Sequence, residues 1–295
     1  VARGDSVICF DNLEPYYDPK VKEKNISSLK GKENFTFVKG DIRNIGDVKG
    51  VFSDNKIEKV IHLAAQVGVR NSLENPDVYV DTNLKGTVHL LEMAKENKVS
   101  NFVFGSSSSV YGKSDVFPLV ESDPANDPLS PYAATKKSGE LLCQSYHNTY
   151  GLSVTCLRFF TVYGPRGRPD MAPYKFTSLI AAGKPIEMYG DGTSKRDYTY
   201  IDDIKNGIIK ALDANLDFAI INLGASKTIV LGDFIKLIEE LLGKKAEVKK
   251  LPMQPGDVFE TYADVSLAKK LIGYEPSTDI KQGMQKFVDW YQNNG

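Results

Sequence analysis

The chain has 295 residues, 41% of them apolar and 25% charged, and a formal net charge of −1 from 37 basic and 38 acidic side chains. That length allows one large domain or two intimate ones with a sizeable core, and the balanced charge gives no electrostatic case for a nucleic acid or an anionic membrane surface. The apolar runs are far too short to span a bilayer, and Cys9, Cys143 and Cys156 lack metal-ligand spacing, which fits buried reduced thiols of a cytoplasmic protein.

In chain order, Val7–Phe10 reads as a strand ending on Asp11 and Asn12. Phe35–Val38 and Val60–Leu63 are the next strands, the former leading into Gly40-Asp41-Ile42. Asn75-Pro76 opens a helix reaching about Asn97, with Val80, Leu84, Val88, Leu91 and Ala94 at helical spacing. The strand Phe102–Gly105 is followed by a helix from Ser130-Pro131 to about Tyr150, with proline in a favoured first-turn position. Val154–Leu157 and Ala219–Leu223 complete the strands. All are short and continuously apolar, as strands covered on both faces of a parallel sheet should be. The alternation predicts an α/β fold with a doubly wound, Rossmann-like parallel sheet. After Arg158 the rhythm breaks. Gly164–Pro169 and Tyr189–Gly192 read as loop and turn, helices are expected at about Ala172–Ala182 and Leu231–Leu242, a loop at Pro252–Asp257, and a last helix at about Asp279–Asn293. These pieces predict a smaller C-terminal substrate lobe (162–198 with 225–295) beside a dinucleotide-binding domain (1–161 with 199–224), over the carboxyl ends of the strands.

Three places can carry chemistry. Asp11, at a strand end, could accept hydrogen bonds from an adenosine ribose and repel a 2′-phosphate, which selects NAD; a plain strand-end turn with Asn12 is the alternative. Asp41 is a second acid that could face the adenine. The stretch FGSSSSVYG (104–112) could be only a polar turn, but Tyr132 follows, with Lys136 four residues later in YAATK. Positions i and i+4 share one helix face. An ammonium beside a phenol favours the phenolate and should lower a pKa near 10 by roughly 1–3, making Tyr132 a base near neutral pH. A serine hydroxyl could hold the reacting oxygen and relay its proton.

With these residues in order, the chain resembles the extended short-chain dehydrogenase/reductases, in their nucleotide-sugar epimerase and dehydratase group. The matching segments are FDNL, GDIRN, VIHLAA, SSSSVYG, SPYAATK, LRFFTVYGP, RDYTYIDD and PGDV. The resemblance implies that Tyr132 is the base, that Lys136 supports it and holds the nicotinamide ribose of NAD, and that Ser107 contacts the substrate hydroxyl. It implies cofactor contacts from Asp11, Asn12, Asp41, Ile42, Leu63, Ala64, Ala65, Asn83 and Ser106. His62 is not implied as a catalyst and reads as structural.

Within the group, dehydratases resemble S-T-D-E-V-Y-G where this chain has Ser106–Gly112, so Ser108 and Ser109 stand where their eliminating Asp and Glu would be. Galactose-type epimerases usually carry Asn at Thr161 and an Arg at Gln254. FFTVYGPRGRPDMAP resembles the UDP-glucuronic acid 4-epimerases, which implies that Arg168 and Thr161 grip the C6 carboxylate, that Arg196 meets the diphosphate and that Asp257 contacts the nucleotide. The expected reaction is NAD-dependent 4-epimerisation of UDP-glucuronic acid through a 4-keto sugar. The alternatives are a UDP-glucose/UDP-galactose 4-epimerase, a UDP-glucuronate decarboxylase, or a catalytically weak nucleotide-sugar-binding protein. The resemblance also implies a homodimer through the two long helices, and no metal.

One expectation concerns the sheet. A strand ending on an acid is the second of a dinucleotide-binding unit, whose glycine fingerprint should lie roughly 20 residues earlier, and ten residues precede Asp11. The resemblance implies that Val1 falls within the first helix, with the first strand and its GxxGxxG loop upstream, between the second and fourth strands of a 3-2-1-4-5-6 sheet. A chain truly lacking them should leave Val7–Phe10 and Val60–Leu63 with unpaired edges and should bind NAD weakly, without the helix N-terminus that holds pyrophosphate.

Overall fold

β1 (Val7–Asp11) is followed by α1 (Pro19–Ser27), β2 (Phe35–Lys39), α2 (Ile45–Asp54) and β3 (Lys59–His62) in the computed structural model, which describes residues 1–254 and 256–294. Pro255 of the PGDV stretch and Gly295 lie outside the described residues. The two helices start where side-chain caps allow: Asp18 accepts from the Lys20 N–H ahead of Pro19, and Asn44 accepts from the Gly46 N–H.

Beyond β3 come α3 (Val69–Glu74), α4 (Pro76–Tyr79), a π-helical segment (Val80–Lys85) and α5 (Gly86–Glu96), leading into β4 (Asn101–Ser107). The single helix expected from Asn75 to Asn97 is thus interrupted. The wider turn points the Asn83 side chain inward, where Oδ1 accepts from the Gln66 N–H (2.7 Å) and Nδ2 donates to Gln66 O and to Thr135 Oγ1 (3.0 Å each). Apolar periodicity persists through such a bulge, so it did not reveal the break. β4 is longer than Phe102–Gly105 and takes in Ser106 and Ser107, while Ser108 and Ser109 open a 3₁₀ turn.

α6 (Pro131–Tyr150) begins at Ser130, whose Oγ accepts from the Ala133 N–H, and ends at Gly151 in the left-handed conformation (φ 70°) that glycine tolerates. β5 (Val154–Phe159), β6 (Thr161–Tyr163), α7 (Ala172–Ala181), β7 (Ile186–Tyr189), β8 (Lys195–Arg196), β9 (Tyr198–Tyr200) and α8 (Ile201–Ala214) follow. The chain closes with β10 (Phe218–Leu223), β11 (Ile229–Val230), α9 (Leu231–Leu242), β12 (Val248–Leu251), α10 (Ser266–Ile272) and α11 (Ile280–Asn294).

Parallel strands form a four-stranded sheet in the order β10-β5-β4-β3 and the separate pairs β1-β2, β7-β12 and β6-β9. Among the described residues, β1 and β3 therefore each have one hydrogen-bonded neighbour. Coverage differs accordingly. β4 and most of β5 are buried throughout, whereas Ile61 of β3 is 42% exposed and Leu63 just after it 51%. The expectation that every strand is covered on both faces holds for the centre of the sheet and not for β3. On one face Phe102, Phe104 and Cys156 pack under α5 and α6; on the other Val103, Leu157 and Ile221 pack under α8 and α10, so the fold is a Rossmann-like, doubly wound α/β sheet. A second core gathers Phe176, Ile186, Phe234, Ile238 and Phe287 from α7, β7, α9 and α11. No helix among the described residues is long and apolar enough to cross a membrane.

Candidate active site

α6 lies against the carboxyl end of β4 at unusually short range. A Cβ added to Gly139 would stand 2.4 Å from the Phe104 ring, so only glycine lets the helix settle so low on the strand. From that helix Tyr132 and Lys136 reach the strand end. Lys136 is buried, donates Nζ–H to the Gly105 carbonyl oxygen (2.7 Å) and sits over the Phe104 ring. Ser107 stands beside the Tyr132 phenol, near enough to favour its phenolate form, and its Oγ lies 3.1 Å from Ser109 Oγ and accepts from the Ser109 N–H. The structure therefore brings Ser107, Tyr132 and Lys136 together.

Their electrostatics depart from the expectation. Burial pushes the Tyr132 phenol up, against smaller downward pulls from the neighbouring Ser107 hydroxyl and the Arg168 guanidinium. Lys136 does not lower it. Its own ammonium is so desolvated that it is pushed down to about 8, and its donated hydrogen points at Gly105 rather than at the phenol. Desolvation outweighs the charge effect inferred from i, i+4 spacing alone. His62 is buried, 2.9 Å from Thr87 Oγ1, and pushed down to about 3 chiefly by burial, which keeps it neutral and structural.

The other candidates on the cofactor side form a row along the strand ends. Asp11 Oδ1 accepts from the Leu13 N–H (2.7 Å), the strand-end turn weighed above. Asn12 donates to Asp41 (2.9 Å), and Asp41 holds Arg43 through both oxygens, which brings its carboxyl down to about 2. Ile42 is buried against α5, where Gly86 leaves it room. Leu63, Ala64 and Ala65 lie on an irregular stretch after β3. Ser106 faces away from this row and donates to Glu140 (2.6 Å).

On the substrate side, Ser108, Ser109, Thr161, Arg196 and Asp257 line one cleft of about 180 Å³. Arg196 already donates to the carbonyls of Lys195, Val258 and Phe259, which among the described residues leaves two of its five N–H bonds. Asp257 pairs with Arg70 (2.8 Å), whose guanidinium stacks on the Tyr189 ring. Arg168 forks onto Asp170 through Nε (3.0 Å) and Nη2 (2.6 Å), leaving Nη1 free of that pair, and lies over the Tyr16 ring. Sequence reasoning missed Arg70, Tyr16, Tyr79 and Glu140. Tyr79 stacks edge-on against Tyr132 and fixes the loop after β3 through the Val67 carbonyl.

Comparison with known proteins places this geometry. Residues 1–287 match the GDP-mannose 4,6 dehydratase family. Over 293 residues the chain is 47% identical to a UDP-glucuronate 4-epimerase of Thermodesulfobacterium geofontis, covering 99% of this chain and 90% of that protein. The crystal structure of UDP-glucuronic acid 4-epimerase from Bacillus cereus, in complex with UDP-glucuronic acid and NAD, is similar with a TM-score of 0.92 at 37% identity, over 97% of this chain and 91% of that one. UDP-glucose 4-epimerase of Thermotoga maritima, with UDP-glucose, gives 0.90 at 30% identity over 99% and 92%. The family match runs across both cores, from β1 into α11, and on that ground the chain belongs to the GDP-mannose 4,6 dehydratase family.

Proposed function

We propose that this protein is an NAD-dependent UDP-glucuronic acid 4-epimerase. The observation that carries the reading is that Arg168 and Tyr132 border one cluster of rings: the guanidinium lies over the Tyr16 ring and Tyr132 stacks edge-on against Tyr79, so that the Arg168 charge favours the phenolate. A hexose that offers its 4-hydroxyl to Tyr132 would turn the substituent of its adjacent carbon 5 toward Arg168, and in glucuronate that substituent is a carboxylate. The similarity to two 4-epimerases, one bound to UDP-glucuronic acid, supports the same reading.

The residues present fit NAD. Lys136 is buried, yet among the described residues only one of its three N–H bonds has a partner, which leaves donors for ribose hydroxyls. Asp11, Leu63, Ala64 and Ala65 would extend the cradle along the strand ends. When bound, NAD would accept hydride from carbon 4 and return it to the opposite face. This chain would do the rest. Ser107 would hold the 4-oxygen and Tyr132 would take and give back its proton. Arg196 would meet the diphosphate with its two remaining N–H bonds. The 4-keto sugar acid is a β-keto acid, inclined to lose CO₂, and an Arg168 grip that keeps its carboxylate out of line with the ketone would suppress that loss.

The division into a dinucleotide-binding part and a substrate lobe belongs to the same proposal, as does a cytoplasmic homodimer. Free Cys9, Cys143 and Cys156 support the compartment, and exposed Val80 and Leu141 on the long-helix region support the dimer. Incubation with UDP-glucuronate and NAD should yield UDP-galacturonate at equilibrium, read by proton NMR. Formation of CO₂ and a UDP-pentose would replace the reading with a decarboxylase, and turnover of UDP-glucose alone would replace it with a glucose-type epimerase.

A further inference from the structure

α6 presents one face to the end of β4, and three residues one turn apart carry it: Tyr132, Lys136 and Glu140. Each meets a different one of three successive strand residues. Lys136 takes the Gly105 carbonyl (2.7 Å), Glu140 Oε1 accepts from Ser106 Oγ (2.6 Å), and Tyr132 meets Ser107. Arg158 is the register partner of Ser106 on the neighbouring strand and closes the set with a fork onto Glu140, Nε at 2.8 Å and Nη2 at 2.9 Å. The Glu140 and Arg158 side chains are each 1% exposed, so neither reaches the cleft.

We propose that Ser106, Glu140 and Arg158 are positioning residues that lock the register of α6 on β4 and so hold Tyr132 against Ser107. The proposal rests on the reading of Tyr132 as the proton carrier. Stability alone does not account for a buried ion pair, since well-packed apolar side chains of the same volume would serve as well or better. Register does. The contact beneath α6 is Gly139 on the flat Phe104 ring, which sets how close the helix lies but not where it stops along its own axis. A bidentate fork and a short hydroxyl bond are directional, and they act one turn beyond Lys136 and two beyond Tyr132. Lys136 cannot supply the lock alone, because its remaining donors are the ones that fit a ribose.

The test uses Ser106→Ala, which removes one hydroxyl and leaves the ion pair intact, and the double variant Glu140→Gln/Arg158→Met, which removes both fully buried charges together and leaves the half-buried Lys137 ammonium, 3.6 Å from Glu140, without that partner. In both, kcat for UDP-glucuronate should fall about tenfold with KM within about twofold, as expected for a displaced catalytic group. The deuterium isotope effect at carbon 4 should rise as hydride transfer becomes limiting, and Ser106→Thr should restore both. Wild-type kcat and isotope effect in the two variants would overturn the proposal. So would a loss of kcat that follows the folded fraction with an unchanged isotope effect. A substrate-free measurement separates this from the functional reading: the Tyr132 phenol, followed by carbon-13 tyrosine NMR and assigned with Tyr132→Phe, should titrate at higher pH in both variants as the phenol moves away from the Ser107 hydroxyl. Of the groups beside Tyr132, namely Ser107, Arg168 and the Tyr79 phenol, only Ser107 stands on β4. If wild-type protein turns over no UDP-sugar, the epimerase reading fails and this titration still decides: a shift supports the lock, and none overturns it.

Discussion

The β4–α6 face and the loops around Arg168 and Asp257 hold their charges in opposite ways. Glu140 and Arg158 are each 1% exposed, and directional hydrogen bonds join them to each other and to Ser106. Arg168 and Asp170 are 29% and 35% exposed, Arg70 and Asp257 46% and 21%. Exposed pairs of this kind are worth about 0–1 kcal/mol and exchange partners at little cost. A buried pair cannot exchange without stranding a charge, which costs about 3–5 kcal/mol. Where a proton must move, the molecule is fixed in advance; where a ligand must enter and leave, its ion pairs are loose. Asp170 shows the second case closely, because its carboxylate occupies the fork of Arg168 in the way a substrate carboxylate would.

The sharpest way to break this contrast is at its fixed end. Tyr132→Phe removes the proton carrier and should lower kcat by about 10³ with little change in KM, the usual scale for a lost general base; a loss below tenfold would mean that another group moves the proton. Lys136→Met should follow at about 10², with weaker NAD retention measured by cofactor extraction from purified protein. Loss of turnover with NAD retained in full would separate Lys136 from the ribose.

Arg168 tests the loose end. Arg168→Ala should cost about 2 kcal/mol of transition-state binding for UDP-glucuronate, roughly 30-fold in kcat/KM, and spare UDP-glucose turnover at alkaline pH. The pH dependence has a definite sign. In the proposed mechanism Tyr132 works as the phenolate, and the Arg168 guanidinium favours that form. Its removal raises the phenol further, so the rising limb of kcat/KM for UDP-glucose should move to higher pH. Unchanged glucuronate kinetics would mean that the carboxylate does not meet Arg168.

The fixed end was also the legible end. Four-to-five-residue apolar runs marked the strands, and a serine cluster followed by Tyr132 and Lys136 on one helix face marked residues that the fold gathers at the end of β4. Glu140 was there to be found, four residues past Lys136 on the same face, with Arg158 inside an otherwise apolar strand and therefore in need of a buried partner. The loose end carried no such signal. Arg70 meets Asp257 across 187 positions and Tyr16 meets Asp170 across 154, and no local period encodes pairs that distant. The π-helical break at Val80–Lys85 was hidden for a related reason, since Asn83 turns inward to satisfy Gln66 and Thr135 rather than a neighbour in sequence. The direction of the Tyr132 shift was misjudged because spacing reports who is near but not how much water is excluded.

The smallest expected effect lies at Arg70. It stands on α3, in the wall of the sheet domain, and joins Asp257 on the loop after β12 while stacking on Tyr189 at the end of β7. The pair thus spans the cleft that Ser109, Thr161 and Arg196 line. If its role is to keep the Asp257 loop near the nucleotide, Arg70→Ala should raise KM for UDP-glucuronate about twofold, the scale of about 0.5 kcal/mol for an exposed pair, and leave kcat unchanged. Raising ionic strength from 0.05 to about 0.5 M, which shortens the screening length to a few ångströms, should erase most of the difference between wild type and variant. The isotope effect at carbon 4 should not move, because the partners of the Arg70 guanidinium, Asp257 and Tyr189, lie off the β4–α6 face. A change in kcat of fivefold or more would mean that the exposed pairs also set the chemistry, and the distinction between a fixed and a loose end would fall.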